Sequence, residues 1–190
     1  MRAAIAIGLC ALTCLLPQPA GADSTAAPGS ELLGQPARPW QVDHWLNSAP
    51  LTLAQLRGKV VLVRWWTAPD CPFCAATAPS LNALDARYRA RGLQVLGFYH
   101  HKADSPLQAQ DVARYAKLFG FTFPIAIDAG WQTLQRWWLA GAERDFTSVS
   151  FLIDRRGVIR HIHPGGKYVK GDPAHAELER AIERLLAEPG

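Results

Sequence analysis

The sequence predicts an α/β fold in which a central mixed β-sheet is flanked by helices. The first observation is an almost wholly apolar run over residues 59–66, as expected for a strand whose two faces are both covered. The second is a Cys-x-x-Cys motif, Cys71 to Cys74, between this strand and a helical stretch over residues 75–91. The third is the order of the remaining elements, strand, helix and strand, then a hairpin, then a final helix.

Local signals predict each element in turn. Residues 51–56 predict a turn of helix before the first central strand, and Leu93–Tyr99 predict the next strand. Ser105 and Pro106 predict the cap and first position of a helix that runs to Phe119. The later predicted elements are a strand at Ile125–Ile127, a helix over residues 131–139, a hairpin of residues 149–154 and 158–163, and a last helix that begins at Asp172-Pro173.

The N-terminal residues predict a secretory signal followed by a leader. Arg2 precedes an apolar run over residues 3–16, and small residues end the segment at Ala22. The run is shorter than the roughly 20 residues that a membrane-spanning helix needs. An uncleaved membrane anchor is the alternative to cleavage. The expected organisation is a signal peptide at 1–22, a flexible leader rich in Ala, Pro, Gly and Ser at 23–38, and a folded domain at 39–190.

The cysteine count indicates a reversible dithiol. Of four cysteines, Cys10 and Cys14 lie in the predicted signal, so Cys71 and Cys74 alone would remain in the mature chain. In an oxidising exported compartment, a lone closely spaced pair is most simply a redox-active site. The start of a helix offers free N–H groups and a partial positive charge, which favour a thiolate at Cys71. Cys74, one turn later, is placed to resolve a mixed disulfide.

The charge pattern argues against a nucleic-acid partner. The formal net charge of +4 is spread along the chain, with local basic clusters only at residues 87–91 and 155–156. A nucleic-acid-binding face requires a denser patch of Lys and Arg than either cluster provides.

Further motifs accompany the cysteines and carry a resemblance. They are residues 58–63 before the motif, Pro79 after it, Phe123-Pro124 before an inserted strand, and residues 151–154 with Gly157 in the hairpin. With the order of elements, they make residues 40–186 resemble the thioredoxin superfamily, and within it the exported TlpA/ResA-like thiol–disulfide oxidoreductases, relatives of the AhpC/TSA redoxins. The resemblance implies a thioredoxin-like fold with an N-terminal extension and an inserted helix–strand element. It also implies Cys71 as nucleophile and Cys74 as resolving thiol, with no metal or organic cofactor.

The chain departs from the family pattern at four positions. Asp70 stands where Trp usually precedes the first cysteine, and one extra residue separates Trp66 from the motif. Ser148 stands where the family has a cis-proline and where peroxiredoxins have Arg. Thr77 replaces a frequent Glu, and Arg64 replaces the buried Asp of thioredoxin. These departures bear on the redox potential and the choice of partner rather than on the cysteine chemistry.

Residues around the motif are predicted to support the pair. Pro72 and Phe73 separate the two cysteines. Asp70 is interpreted as a turn residue or helix N-cap rather than as a direct proton carrier. A carboxylate there would raise the pKa of the Cys71 thiol by like-charge repulsion.

Two more distant residues complete the predicted site. His100 ends the strand beside the one that leads to the motif, so its imidazolium could favour a thiolate at Cys71; a solvent-exposed pair with His101 is the alternative. Ser148 is expected beside the disulfide after a trans peptide bond, with its hydroxyl near a thiolate or a backbone group. A loop residue with no redox role is the alternative for Ser148.

The leading hypothesis is a thiol–disulfide oxidoreductase outside the cytoplasm, in the periplasm if the source is Gram-negative. Its expected partners are disulfide-bearing or dithiol proteins, with a membrane thiol reductant among the candidates. Contact with the membrane is expected only if the signal stays uncleaved.

Two alternatives use the same cysteines differently. A copper-handling metallochaperone would add a histidine, and His161 and His163 alternate along one predicted strand. A thiol peroxidase is the second alternative. The peroxiredoxin pattern Pro-x-x-x-Thr-x-x-Cys is absent, because Arg64 and Ala68 occupy the Pro and Thr positions before Cys71.

Overall fold

A mixed sheet organises the fold, as predicted. The computed structural model describes residues 27–42 and 44–189. Its strands are β1 (His44–Leu46), β2 (Val60–Trp66), β3 (Leu93–Tyr99), β4 (Ile125–Ile127), β5 (Ser150–Ile153) and β6 (Ile159–His163). Its helices are α1 (Pro72–Tyr88), α2 (Ala109–Leu118), α3 (Gln132–Leu134), which continues into a π-helical turn (Gln135–Leu139), and α4 (Pro173–Ala187), with 3-10 turns at Ser30–Leu32, Ala54–Leu56 and Arg89–Arg91.

The strand order is β1-β4-β3-β2-β5-β6. Strands β2, β3 and β4 run parallel, whereas β1, β5 and β6 pair antiparallel with their neighbours. Val63 of β2 lies between Leu96 of β3 and Phe151 of β5. Strand β2 is therefore central, and every one of its residues is buried. Because both faces are covered, its sequence is nearly continuous in apolar residues rather than alternating.

Two core layers lie on the two faces of the sheet. One layer joins Leu62 and Trp66 of β2 to residues of α1, α2 and α4. The other joins Val63 and Trp65 to α3, the π-helical turn and the N-terminal segments. Alternate residues of β2 thus face opposite layers, as the two-residue period of a strand requires. The cysteine motif follows β2 directly, at the edge where α1 begins.

Helix α2 begins later than predicted. Ser105 and Pro106 lie outside the helix, and its N-cap is Gln108. The Ser105 carbonyl is hydrogen-bonded to Nε2 of His101 at 2.7 Å, and the first helical turn closes from Asp111 N to Gln108 O at 3.0 Å. A hydrogen bond within the loop therefore takes the place of the predicted cap, and the prediction of a helix from Ser105 was wrong.

The ordered fold also begins before the predicted start at residue 39. Gly34 N donates to Ile159 O and Ala37 N donates to Gly157 O, both at 2.8 Å, and Pro36 forms a bridge with Val158. The described part of the predicted leader thus pairs with the edge strand β6, which offers unpaired backbone groups. The predicted signal peptide at residues 1–22 lies outside the described residues. None of the helices in the described part combines the length and apolar character needed to cross a bilayer.

Candidate active site

The start of α1 holds the cysteine motif. Strand β2 ends at Trp66, and a turn brings Cys71 to the N-cap position of α1, with Pro72 at the first helical position. Pro is favoured there because the first helical N–H has no intrahelical partner. The backbone N–H of Cys71 donates to the carbonyl of Ala68 at 3.0 Å, which closes the turn.

Cys71 and Cys74 form a disulfide, with their Cα atoms 5.3 Å apart. The backbone N–H of Cys74 donates to Sγ of Cys71 at 3.2 Å, so the sulfur itself caps the helix. Cys71 is half-buried, whereas Cys74 is only 3% exposed. A thiolate formed at Cys71 on reduction would accept this hydrogen bond and face the positive end of the helix. The geometry therefore leaves Cys71 accessible at the helix N-cap and shields Cys74.

A shallow cavity opens beside Cys71. Its volume is about 350 Å³, and it is lined by Thr67, Ala68, Asp70, Cys71, Pro72, Phe73, Lys102 and Ala103. On the rim, the rings of Phe73 and Phe146 contact edge to face at 5.5 Å and are 37% and 38% exposed. The two rings thus form an exposed apolar patch next to the accessible sulfur.

The structure separates the two roles proposed for Asp70. Cys71, not Asp70, is the N-cap of α1. Asp70 is exposed in the turn before the helix, at the mouth of the cavity. The interpretation of Asp70 as a turn residue is therefore confirmed, and the N-cap alternative was wrong.

His100 does not supply the expected cation. Its side chain is fully buried, with Nε2 hydrogen-bonded to Oγ1 of Thr147 at 2.9 Å. Burial, together with the positive charges of Lys102 and Arg64, lowers the pKa of His100 to about 3. The ring is neutral near pH 7, so the prediction of an imidazolium that stabilises the Cys71 thiolate was wrong. His101 is half-buried and holds the Tyr99 hydroxyl at 3.0 Å rather than lying free in solvent.

Ser148 precedes β5 and is 5% exposed. No peptide bond in the described residues is cis, in agreement with the predicted trans bond before Ser148. Gly166 N donates to the Ser148 hydroxyl at 3.2 Å, and the Ser148 carbonyl accepts a hydrogen bond from Nη1 of Arg64. The hydroxyl thus bonds a backbone group, one of the two partners predicted, and ties the loop before β5 to the loop after β6.

Arg64 is the site residue whose surroundings the sequence did not show. It is 1% exposed in the middle of β2, and its guanidinium holds the carbonyls of Ser148 and Gly166. The sequence offered two signals, a charged residue within an otherwise apolar strand and its departure from the buried Asp of thioredoxin.

The geometry gives no support to a copper site. His161 lies 3.8 Å from a carboxylate oxygen of Glu177, and the His163 ring packs on Tyr168 at 5.0 Å. Within the residues that the structure describes, no three His, Cys, Asp or Glu side chains are grouped as a metal ion would require.

Comparisons with known proteins agree with this geometry. The model of the Redoxin family matches residues 33–182. The chain is 32% identical over 151 residues to Protein DipZ of Mycobacterium tuberculosis. This match covers 77% of the chain but only 20% of DipZ. The chain thus spans about a fifth of the length of that relative.

Shorter relatives match over more of their length. The thiol-disulfide oxidoreductase YkuV of Bacillus subtilis is 26% identical, over 85% of the chain and 95% of YkuV. The thiol-disulfide oxidoreductase ResA of Geobacillus kaustophilus is 28% identical, over 70% of the chain and 67% of ResA. Among solved structures, the thioredoxin-like superfamily protein SPOA0173 superposes with a TM-score of 0.67 at 25% identity, over 82% of the chain and 98% of that protein.

Proposed function

The chain belongs to the Redoxin family, and on this basis we propose that it is a thiol–disulfide oxidoreductase that acts on partner proteins outside the cytoplasm. The observation that carries the proposal is the disulfide at the start of α1, with Cys71 accessible and Cys74 shielded. An accessible sulfur can be attacked or can attack, and a shielded neighbour one turn away can resolve the product.

In the reducing direction, the Cys71 thiolate attacks one sulfur of a partner disulfide. The partner disulfide breaks, a mixed disulfide forms, and the first partner sulfur leaves as a thiolate. Cys74 then loses its proton and attacks Cys71, which forms the Cys71–Cys74 disulfide and releases the second partner sulfur. The partner gains two electrons and, with protons from Cys74 and from water, becomes a dithiol. The same steps in reverse oxidise a partner dithiol.

The names of two relatives support the activity, since YkuV and ResA are both thiol-disulfide oxidoreductases. The partners of this chain are therefore proteins that carry a disulfide or a dithiol. The exposed pair Phe73 and Phe146 favours partners with apolar residues next to the reacting cysteine. A second exchange partner must restore the pair after each turnover, and a membrane thiol reductant is a candidate for this role.

The predicted signal at residues 1–22 supports an extracytoplasmic location. Cell fractionation with a C-terminal epitope tests the location. Tagged protein in the periplasmic fraction, shortened by residues 1–22, supports the proposal. Full-length tagged protein confined to the cytoplasm contradicts it.

Trapping of mixed disulfides tests the activity. Cys74→Ser removes the resolving thiol, so partners remain attached through Cys71 and appear as high-mass bands on non-reducing gels. Cys71→Ser is the matched control, because it keeps one thiol in the same motif, that of the buried Cys74. We expect many trapped partners with Cys74→Ser and few with Cys71→Ser. Equal trapping by both variants contradicts a directional exchange through Cys71.

A further inference from the structure

Arg64 shares a core layer with the resolving cysteine. In β2, alternate residues point to the same side of the sheet, so Arg64 lies on the same face as Leu62 and Trp66. Leu62, Trp66 and Cys74 belong to one buried cluster, on the face that α1 covers. The Arg64 side chain therefore enters the layer between the sheet and α1, in which the Cys74 sulfur is buried.

The guanidinium of Arg64 has only neutral partners. Nη1 donates to the Ser148 carbonyl and lies 3.4 Å from the Ser150 hydroxyl, and Nη2 donates to the Gly166 carbonyl at 2.7 Å. Its carbon lies 5.2 Å from the centre of the Tyr168 ring. Among residues 27–42 and 44–189, no carboxylate pairs with it. The positive charge of Arg64 is thus fully buried and is not neutralised by a described side chain.

The buried carboxylates are engaged elsewhere. Asp85 pairs with Arg89, and Asp154 pairs with Arg160 at 3.0 Å. Asp128 accepts backbone N–H bonds at the start of α3. None of these interactions brings a negative charge to Arg64.

Hydrogen bonds connect the surroundings of Arg64 to the first turns of α1. The backbone N–H of Tyr168 lies 3.4 Å from the Thr77 hydroxyl, and Thr77 follows Cys74 by three residues on α1. Residues three apart share a helix face, so Thr77 and Cys74 both point toward this region. Cys74 and Tyr168 also belong to the same buried cluster. Arg64, stacked on Tyr168, is thus connected through Tyr168 to Thr77, one helical turn after Cys74.

The other titratable groups around this layer do not cancel the charge. Burial raises the pKa of the Tyr168 hydroxyl, and burial lowers the pKa of His163 to about 4, with the Arg64 charge as the next cause. His100 is neutral near pH 7 for the same reason. Asp70 and Lys102 are exposed to water on the cavity side of Cys71, where solvent screens them.

From this arrangement we infer that Arg64 is the buried counter-charge of the Cys74 thiolate, an inference that rests on the proposed redox function. Burial disfavours a thiolate at Cys74, yet Cys74 must become one to attack Cys71. The Arg64 charge offsets the cost of that thiolate. The Cys74 proton passes to the departing partner thiolate or to water, and no carboxylate base is needed. Because the cation stabilises the reduced, ionised pair, it also makes the pair a stronger oxidant. Arg64 acts as a positioning residue, through the cysteine and without contact with substrate.

Two measurements on Arg64→Gln test the inference. The first is a titration of Cys74 in a Cys71→Ser background, followed by the ultraviolet absorbance of the thiolate. The constant for proton binding to the Cys74 thiolate should be about tenfold or more higher in Arg64→Gln than in the protein that keeps Arg64. With both cysteines present, the equilibrium constant for oxidation by glutathione should rise about tenfold, which corresponds to a reduction potential about 30 mV more negative.

Two further variants separate charge from structure. Arg64→Lys keeps the charge and should retain most of the wild-type values, whereas a purely structural role predicts that it resembles Arg64→Gln. Arg180→Gln removes one exposed positive charge from α4 and should leave both values unchanged.

If Arg64→Gln folds cooperatively and titrates like the wild type, the inference is wrong while the redox function stands. If Arg64→Gln does not fold, a Cys74 titration in Arg64→Lys that departs from wild type overturns the inference, and agreement with wild type supports it. A wild-type pair that cannot be reduced reversibly overturns the proposed function instead.

Discussion

The buried ring of His100 should make the fold sensitive to mild acid. In the folded chain its pKa is about 3 because the ring is buried beside Lys102 and Arg64. In the unfolded chain an imidazole has a pKa of about 6.5. Because the pKa of His100 is lower in the folded chain, the imidazole binds a proton below about pH 6.5 in the unfolded chain but stays neutral in the folded chain. Stability therefore falls as the pH falls through 6.5, and the loss continues until the folded ring also titrates near pH 3.

The magnitude follows from the two pKa values. Between pH 7 and pH 5 the difference in proton binding at His100 lowers the free energy of unfolding by about 2 kcal/mol. Since His163 is half-buried and its pKa is lowered to about 4, it adds a loss of similar size over the same interval. His100→Gln can keep a hydrogen bond to Thr147 but cannot take up a proton, so it isolates the contribution of His100.

Urea unfolding at pH 7 and pH 5 measures the effect. The wild type should lose about 2 kcal/mol more than His100→Gln over this interval, whatever constant offset the substitution introduces. His44→Gln, which removes an exposed imidazole on β1, is the control and should lose as much as the wild type. Equal losses in wild type and His100→Gln would refute the reasoning. If His100→Gln does not fold, the ring signals of His100 in wild type decide, because a shift between pH 7 and pH 5 would show that the folded ring titrates.

Two other predictions concern the site. In the reduced protein, limited iodoacetamide at mildly acidic pH should label Cys71 and spare Cys74, since Cys74 is 3% exposed; mass spectrometry showing the label mainly on Cys74 would reverse the assignment. Ser148→Ala removes the hydroxyl that accepts the Gly166 N–H, so it should lower the free energy of unfolding by about 1 kcal/mol and change the rate of insulin reduction. A variant with wild-type stability and rate would make Ser148 a residue without influence on exchange.

Strands β2, β3 and β4 were predicted to within one residue because burial on both faces leaves a nearly continuous apolar run, which ends where the strand ends. The start of α2 was not predicted correctly. The Ser105 carbonyl is hydrogen-bonded to the His101 side chain, and a capping signal in the sequence does not show this contact. The positive φ of Trp131, 58°, is likewise set by packing, since its indole N–H is held by the carbonyl of His101 at 2.8 Å.

The site divides in the same way. The pairing of Cys71 with Cys74 was predicted because their spacing and their position after a strand are both local. The neutral state of His100 and the role of Arg64 depend on burial and on distant residues. Arg64 contacts Ser148 and Gly166, which lie 84 and 102 residues further along the chain. The sequence therefore showed an unusual charge in a strand, and the fold alone shows what surrounds it.

The central claim is that Cys71 and Cys74 form a reversible redox pair, and equilibration of the wild-type protein in a series of glutathione buffers tests it most directly. Free thiols would be counted by alkylation and mass spectrometry after acid quenching at each ratio. We expect both thiols to appear together, in one transition with the slope of a two-electron couple, and the same midpoint from the oxidised and the reduced side. A pair that stays oxidised across the whole series, or that does not reoxidise after reduction, would contradict the claim and identify Cys71–Cys74 as a structural disulfide.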